Sequence, residues 1–147
     1  MVTLQTIHAS NNRLKDAGDG LVALFLGATS GIGQAVLKQF AQHAVKPRVY
    51  IVARNATATA PLVEELRRLN ADGQYEVVEK NVSLIKETDE VAKIVKAKET
   101  KLDLLFMSVG FFSFDGRQGQ KKRKESAITH MLTSLLAQIP PRAWTPA

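Results

Sequence analysis

A continuous apolar run, a glycine-rich loop and an amphipathic segment follow one another in the first third of the chain. The run, residues 21–26, lies between glycines and is typical of a strand buried on both faces of a parallel sheet. The loop carries Gly27, Gly31 and Gly33, and glycines let a backbone turn sharply and bring helix N–H groups close to a phosphate. Three glycines alone would more often make a simple turn. The strand before them and the helix after them predict a dinucleotide-binding loop.

Runs of strand length alternate with segments of helical period along the chain, which indicates a parallel sheet with crossover helices. We expect an α/β fold, a Rossmann-like doubly wound parallel sheet of about four strands in the order 3-2-1-4. The strands after the first are expected at Arg48–Ala53, Gln74–Glu79 and 102–109. Helices are expected over about 3–17, 32–45, 84–98 and 124–138, with another that has Pro61 near its first turn and ends at Asp72 and Gly73.

The apolar positions of each crossover helix predict the stripe that faces the core. In the first they are Ile32, Ala35, Val36, Phe40, Ala41 and Ala44. In the second they are Leu62, Val63, Leu66 and Leu69, and in the third they are Leu84, Val91, Ile94 and Val95.

The net charge of +6 is concentrated in the last part of the chain. Residues 116–147 contain six basic side chains and one acidic one, so they carry +5 and leave the rest close to neutral. We therefore divide the chain into an extension with a short helix (1–20), a dinucleotide-binding half-domain (21–115) and a basic, then proline-containing tail (116–147). No aromatic side chain interrupts the basic run 121–124, which argues against nucleic acid as a partner.

Several protein classes are disfavoured by composition. The longest apolar stretch, residues 21–28, is far shorter than the roughly 20 residues that span a bilayer, so no membrane partner is expected. The first residues have neither a cationic start nor a long apolar run, so no secretory signal is expected. The chain has no cysteine, which excludes disulfides and thiolate metal ligands and fits a cytoplasmic protein. No metal site is predicted.

The glycine spacing G-x3-G-x-G and the segment Thr29-Ser30-Gly31-Ile32-Gly33 resemble the short-chain dehydrogenases/reductases. The resemblance covers residues 21–110, and residues 9–14 (ASNNRL) are similar to the start of fungal members. It implies an oxidoreductase lineage that transfers hydride between a nicotinamide cofactor and a small-molecule carbonyl or alcohol. In fungi such enzymes often reduce ketones in secondary-metabolite pathways.

The end of the second strand bears on which cofactor would bind. An acidic residue there would accept hydrogen bonds from the ribose 2′-hydroxyl of NAD, whereas this chain has Arg54 and Asn55. A guanidinium can hold a phosphate through a bidentate contact, so Arg54 favours NADP (NADPH) over NAD, although it could be a solvated arginine. The resemblance adds Asn81 and Val82 near the adenine and Gly110 near the ribose. The predicted cofactor-binding residues are Gly27, Thr29, Ser30, Gly31, Ile32, Gly33, Arg54, Asn55, Asn81, Val82 and Gly110.

No catalytic residue is assigned. The family's chemistry uses a serine followed by Tyr-x3-Lys, which the resemblance places beyond residue 147. The two tyrosines, Tyr50 and Tyr75, are followed four residues later by Arg54 and Glu79 rather than by lysine. Ser108 either ends the fourth strand or offers a polar group to the cofactor.

Three interpretations of the whole chain stay open. It is a truncated or mispredicted gene product, a half-domain that pairs with another chain, or a stand-alone NADP-binding module. The fourth strand would otherwise be an exposed apolar edge, and a homo-oligomer is one way to cover it. The function hypotheses are a reductase whose catalytic half is supplied elsewhere, a non-catalytic NADP-binding or regulatory protein, and a protein whose basic run docks an acidic partner.

Overall fold

The sheet is built around one strand whose side chains are all buried. This computed structural model describes residues 2–109; Gly110, the expected helix 124–138 and the tail lie outside the described residues. The strands are β1 (Val22–Leu26), β2 (Arg48–Ala53), β3 (Gln74–Glu79) and β4 (Leu104–Met107). They are parallel and ordered β3-β2-β1-β4, which confirms the predicted fold class and strand order.

The helices precede and connect the strands. The helix α1 (Leu4–Asn12) and a 3-10 helix (Arg13–Ala17) come before β1, where one short helix was predicted. The crossovers are α2 (Gly31–His43), α3 (Ala56–Leu69) and α4 (Ile85–Lys98). β2 and β3 have the predicted bounds, whereas β4 is shorter than the predicted 102–109 because only its four residues pair with β1.

Alternation along β1 divides the core into two layers. Ala23 and Phe25 pack with α2 and α3, and the Phe25 ring lies 5.7 Å from that of Phe40. Val22, Leu24 and Leu26 face the other side and pack with α4. This period of two, with apolar residues on both faces, is the reason that the segment reads as a continuous apolar run.

The predicted stripe of α2 is confirmed at Val36, Phe40, Ala41 and Ala44, which are buried or packed against the core, but it is wrong at its start. Ile32 is 78% exposed and Ala35 is exposed, while Leu37, which the prediction left out, is fully buried. The buried positions start at Gly33, which packs directly against the loop backbone at Gly27. That contact sets how the first turn of α2 meets the loop, and apolar spacing alone does not reveal it.

The starts of α3 and α4 also differ from the predictions. α3 begins at Ala56, so Pro61 is its sixth residue rather than part of its first turn, and Leu69 at its end is 41% exposed. Leu84 is the residue before α4 and is 53% exposed, whereas Thr88 within the helix is buried. In both cases an apolar residue at a helix end extends past the sheet that covers the middle of the helix.

A buried carboxylate joins strands and helix at the amino end of β2. The Glu99 side chain is only 4% exposed; it accepts a hydrogen bond from the Tyr50 hydroxyl at 2.8 Å and pairs with Arg48 at 3.0 Å. Burial, reinforced by the Glu99 carboxylate, raises the pKa of Tyr50 to about 12. The neutral phenol is therefore stabilised in the folded chain relative to the unfolded one.

We expect Tyr50 to make the stability of the chain depend on alkaline pH. A tyrosine in the unfolded chain ionises near pH 10 and in the folded chain near 12, so its contribution is complete below pH 10 and is lost as pH rises through 12. The difference in unfolding free energy between the wild type and Tyr50→Phe should shrink between pH 9 and pH 12, as measured by urea unfolding. A difference that is constant over that range would contradict the prediction.

Candidate functional site

The carboxyl ends of the four strands gather polar groups at one edge of the sheet. Because the strands are parallel, the segments that follow them leave the sheet at the same edge. These segments are the loop after β1 and residues 54–55, 81–82 and 108–109. The chain moves outward from β1 to β2 and β3 and then crosses back to β4 on the other side. Ligands of open α/β sheets bind at such a switch point.

Each glycine of the loop after β1 has its own structural reason. Gly27 has φ +78°, and a Cβ there would lie 2.7 Å from the Ser108 carbonyl carbon. A Cβ at Gly33 would lie 2.4 Å from the Gly27 carbonyl oxygen. Gly31 has φ +58° but faces open space, with no residue of the described range 2–109 within 4 Å of its Cβ position. Gly27 and Gly33 are therefore required by packing, and Gly31 by backbone conformation.

The first turn of α2 is open beside Gly31. Ser30 is the N-cap residue in an extended conformation, and its side chain makes no capping hydrogen bond within the described residues. The first turn of α2 contains no acidic side chain, and Thr29, Ser30 and Ile32 are all exposed around it. Free N–H groups and the positive end of the helix dipole favour an anion at this position.

Arg54 and Asn55, which follow β2, have different environments. Arg54 is exposed and forms no ion pair with the part of the chain that the structure describes. Asn55 is the N-cap of α3: its Oδ1 accepts a hydrogen bond from the Ala58 N–H at 3.0 Å, and its carbonyl accepts one from the Thr59 hydroxyl. The Asn55 amide oxygen thus has a structural role that the sequence analysis missed. An asparagine before a run of alanine and threonine could have signalled this helix start.

Glu79, the last residue of β3, was also missed. Its carboxylate Oε2 accepts a hydrogen bond from the Ala56 N–H at 2.9 Å and so satisfies another free group of α3. Glu79 reaches this position because it is in register with Ala53 on the neighbouring strand. The pairing of β2 with β3 brings the two segments together, and local sequence carries no sign of it.

Asn81 and Val82, which follow β3, lie in a turn held by α4. The Asn81 Oδ1 accepts from the Ser83 N–H at 3.2 Å, and the Asn81 N–H donates to the Glu87 carboxylate. Lys80 pairs with Glu90, and this contact raises the pKa of Lys80 and lowers that of Glu90. Among the described residues nothing else binds the Asn81 Oδ1 or its amide N–H₂, and its predicted contact with adenine stays a prediction.

Ser108 is exposed at the end of β4, and its N–H donates to the Leu26 carbonyl at 2.8 Å. Tyr50 and Tyr75 lie within β2 and β3, away from this edge. Tyr75 donates to the Asn70 carbonyl at 3.4 Å, and burial raises its pKa to about 12. Neither hydroxyl lies beside Ser108 or the glycine loop.

A cavity of about 380 Å³ lies near the opposite end of β1. Its lining includes Leu14, Leu21, Val36, Phe40 and Leu104, so it sits between the segment before β1, α2 and the start of β4. It is separate from the glycine loop. Within residues 2–109 no helix is long and apolar enough to cross a membrane.

Comparisons with known proteins show the family to which the chain is related. The sequence model of the family described as short chain dehydrogenase matches residues 21–137. The NmrA-like family domain-containing oxidoreductase notO of Aspergillus sp. (strain MF297-2) is 44% identical over 141 residues, which cover 95% of this chain and 43% of that protein. Oxidoreductase AN1596 of Emericella nidulans is 42% identical over 117 residues, which cover 80% of this chain and 35% of that protein.

A solved structure has the same fold. L-sorbose reductase from Gluconobacter frateurii, in complex with NADPH and L-sorbose, superposes with a TM-score of 0.69 at 20% identity. The superposition covers 82% of this chain and 48% of that one. The chain thus spans less than half the length of these proteins.

We predict that Gly33→Ala destabilises the fold much more than Gly20→Ala. The new methyl group at position 33 would overlap the Gly27 carbonyl oxygen, a cost of about 3 kcal/mol. Gly20 has φ +72° and open space, so alanine there meets only backbone strain of about 1 kcal/mol. Urea unfolding of both variants measures the two losses, and equal losses would contradict the packing role of Gly33.

Proposed function

The chain belongs to the short-chain dehydrogenase family of oxidoreductases, and from that premise we propose that its glycine loop binds NADP(H). The family and the similarity to fungal members are as the sequence predicted. The proposed reaction is hydride transfer between the nicotinamide and a small-molecule carbonyl or alcohol. We also propose that the chain divides into an extension (1–20), a dinucleotide-binding half-domain (21–115) and a basic tail (116–147).

The observation that carries the proposal is the open space at Gly31. Its φ of +58° turns the backbone at the start of α2, and a Cβ would occupy the space beside the free first-turn N–H groups. A pyrophosphate fits a place with backbone donors, no side chain and a favourable helix dipole. Thr29, Ser30 and Ile32 border that space, and the Ser30 hydroxyl is not used as a cap.

Arg54 supports a preference for NADP over NAD. It occupies the position after β2 at which an acidic residue would select the ribose 2′-hydroxyl, and it is exposed. Its guanidinium can form a bidentate contact with a 2′-phosphate. Solved proteins of the same fold contain NADPH or NADP, among them the L-sorbose reductase and RhlG of Pseudomonas aeruginosa.

The cofactor would supply the hydride, and the residues of this chain would bind and orient it. Tyr50 and Tyr75 do not fit the role of proton donor to a substrate, because they lie away from the edge and their pKa values are raised to about 12. We therefore propose that the serine and Tyr-x3-Lys of the family act from sequence beyond this chain. The proposed reaction is the reduction of a ketone in fungal secondary metabolism. We propose the cytoplasm as its compartment and a homo-oligomer as one option for its assembly.

A non-catalytic NADP-binding or regulatory protein is the second candidate. The observation that favours it is the position of both tyrosine hydroxyls, away from the proposed cofactor site. Turnover of any carbonyl in a substrate panel by this chain would reject this candidate.

We predict that Gly31→Ala abolishes NADPH binding while Gly20→Ala preserves it. Both substitutions place alanine at a positive φ with open space, so their strain is similar and both chains should stay folded. Only the methyl group at position 31 would enter the space proposed for the pyrophosphate. Titration with NADPH, followed by nicotinamide fluorescence, gives the dissociation constants. If neither variant changes NADPH affinity, the loop is not the cofactor site.

We predict that Arg54→Ser weakens NADPH binding by about tenfold and leaves NADH binding nearly unchanged. The lost contact is one charge-assisted interaction with the 2′-phosphate, which contributes about 1.5 kcal/mol. Arg68→Ser is the matched control, since it removes an exposed arginine from the last turn of α3, far along the helix from Arg54. Equal losses for the two nucleotides, or for the two variants, would contradict a specific phosphate contact.

A further inference from the structure

We propose that Glu79 is a specificity-determining residue that opposes Arg54, so that its carboxylate reduces the preference for NADPH over NADH. This inference rests on the proposed function. Glu79 ends β3, a strand in which the sequence predicts no functional group. It concerns how the site separates two ligands that differ by a single phosphate.

The Glu79 carboxylate is hydrogen-bonded to the start of α3. Its Oε2 accepts the hydrogen bond of the Ala56 N–H at 2.9 Å, and Ala56 is only two residues after Arg54. The first turn of α3 contains no acidic residue of its own, so Glu79 supplies from β3 the negative charge that a helix start favours. The carboxylate therefore has a structural reason to stay there in the free protein.

Arg54 is left without that carboxylate as a partner. Its guanidinium is exposed and makes no ion pair with any residue in 2–109, whereas Glu79 is directed to the Ala56 N–H. The corner between β2 and α3 thus holds the exposed cation of Arg54 and, at the Ala56 N–H two residues later, the hydrogen-bonded carboxylate of Glu79. A 2′-phosphate bound by Arg54 would be repelled by the Glu79 carboxylate, since like charges at short range oppose each other.

A ribose 2′-hydroxyl would meet the opposite situation. A carboxylate that accepts one N–H retains lone pairs that can accept a hydroxyl, so Glu79 can remain in place beside NADH. Glu79 therefore changes the ratio of NADPH affinity to NADH affinity and is not required for binding of the cofactor. Arg54 and Glu79 act on the same ratio in opposite directions.

Glu79→Gln tests this inference, because glutamine keeps an oxygen for the Ala56 N–H and removes only the charge. We expect NADPH affinity to rise by about fivefold at low ionic strength, NADH affinity to stay level or fall, and the NADPH gain to shrink in high salt. Glu76→Gln is the matched control: it removes the same charge from the same strand, where Glu76 pairs with Lys98. It should leave the ratio of affinities unchanged. Urea unfolding of each variant verifies that α3 is retained.

Each result is decisive. An unchanged ratio in Glu79→Gln, or an equal loss for both nucleotides, overturns the inference and leaves Glu79 as a structural cap of α3. An equal change in Glu76→Gln overturns it in favour of a general charge effect. If the wild-type chain binds neither nucleotide, the proposed function itself fails, and this outcome is distinct from a wild type that binds NADPH with a ratio insensitive to Glu79.

Discussion

The close approach of Gly33 to the carbonyl of Gly27 is the contact on which the rest of the arrangement depends. With no side chain at position 33, the start of α2 lies directly on the loop that leaves β1. This contact sets how the first turn of α2 meets the loop, and beyond that turn Leu37 and Phe40 enter the core while Ile32 faces outward. Gly27 in turn lies against the backbone of Ser108, which joins the loop to the end of β4. One short loop therefore couples the packing of the core to the geometry of the edge where the cofactor is proposed to bind.

Sequence patterns predicted the elements better than their faces. The bounds of β2 and β3 and the strand order followed from apolar runs separated by helical segments, because burial on both sides leaves a strong signal. Ile32, Leu69 and Leu84 were assigned to the core although they are exposed. Each lies at the end of a helix, where periodicity continues although the sheet no longer covers it. Tertiary contact, not spacing, decides burial there.

The candidate site divides in the same way. The glycine loop and Arg54 were visible in the sequence, since glycine spacing and the residue after β2 have direct physical meaning. The contact between Glu79 and Ala56 was not, because it joins residues 23 apart and depends on the register of β2 with β3. Asn55 lies between these cases. Its capping hydrogen bond is local and could have been found, but the placement of Pro61 near the first turn put the predicted start of α3 too late in the chain.

The bond between the Val22 N–H and the Asp103 carboxylate, 2.8 Å long, has a consequence for how the chain is made. Val22 begins the central strand, yet this partner comes 81 residues later, and β4 completes the same side of β1. Such a large separation slows folding, since the intervening chain must be ordered before the contact can form. During synthesis, β1 emerges from the ribosome long before β4, and the edge of β1 stays unpaired until that strand is made. Nascent chains that end before residue 104 would therefore expose this edge to aggregation and to chaperones.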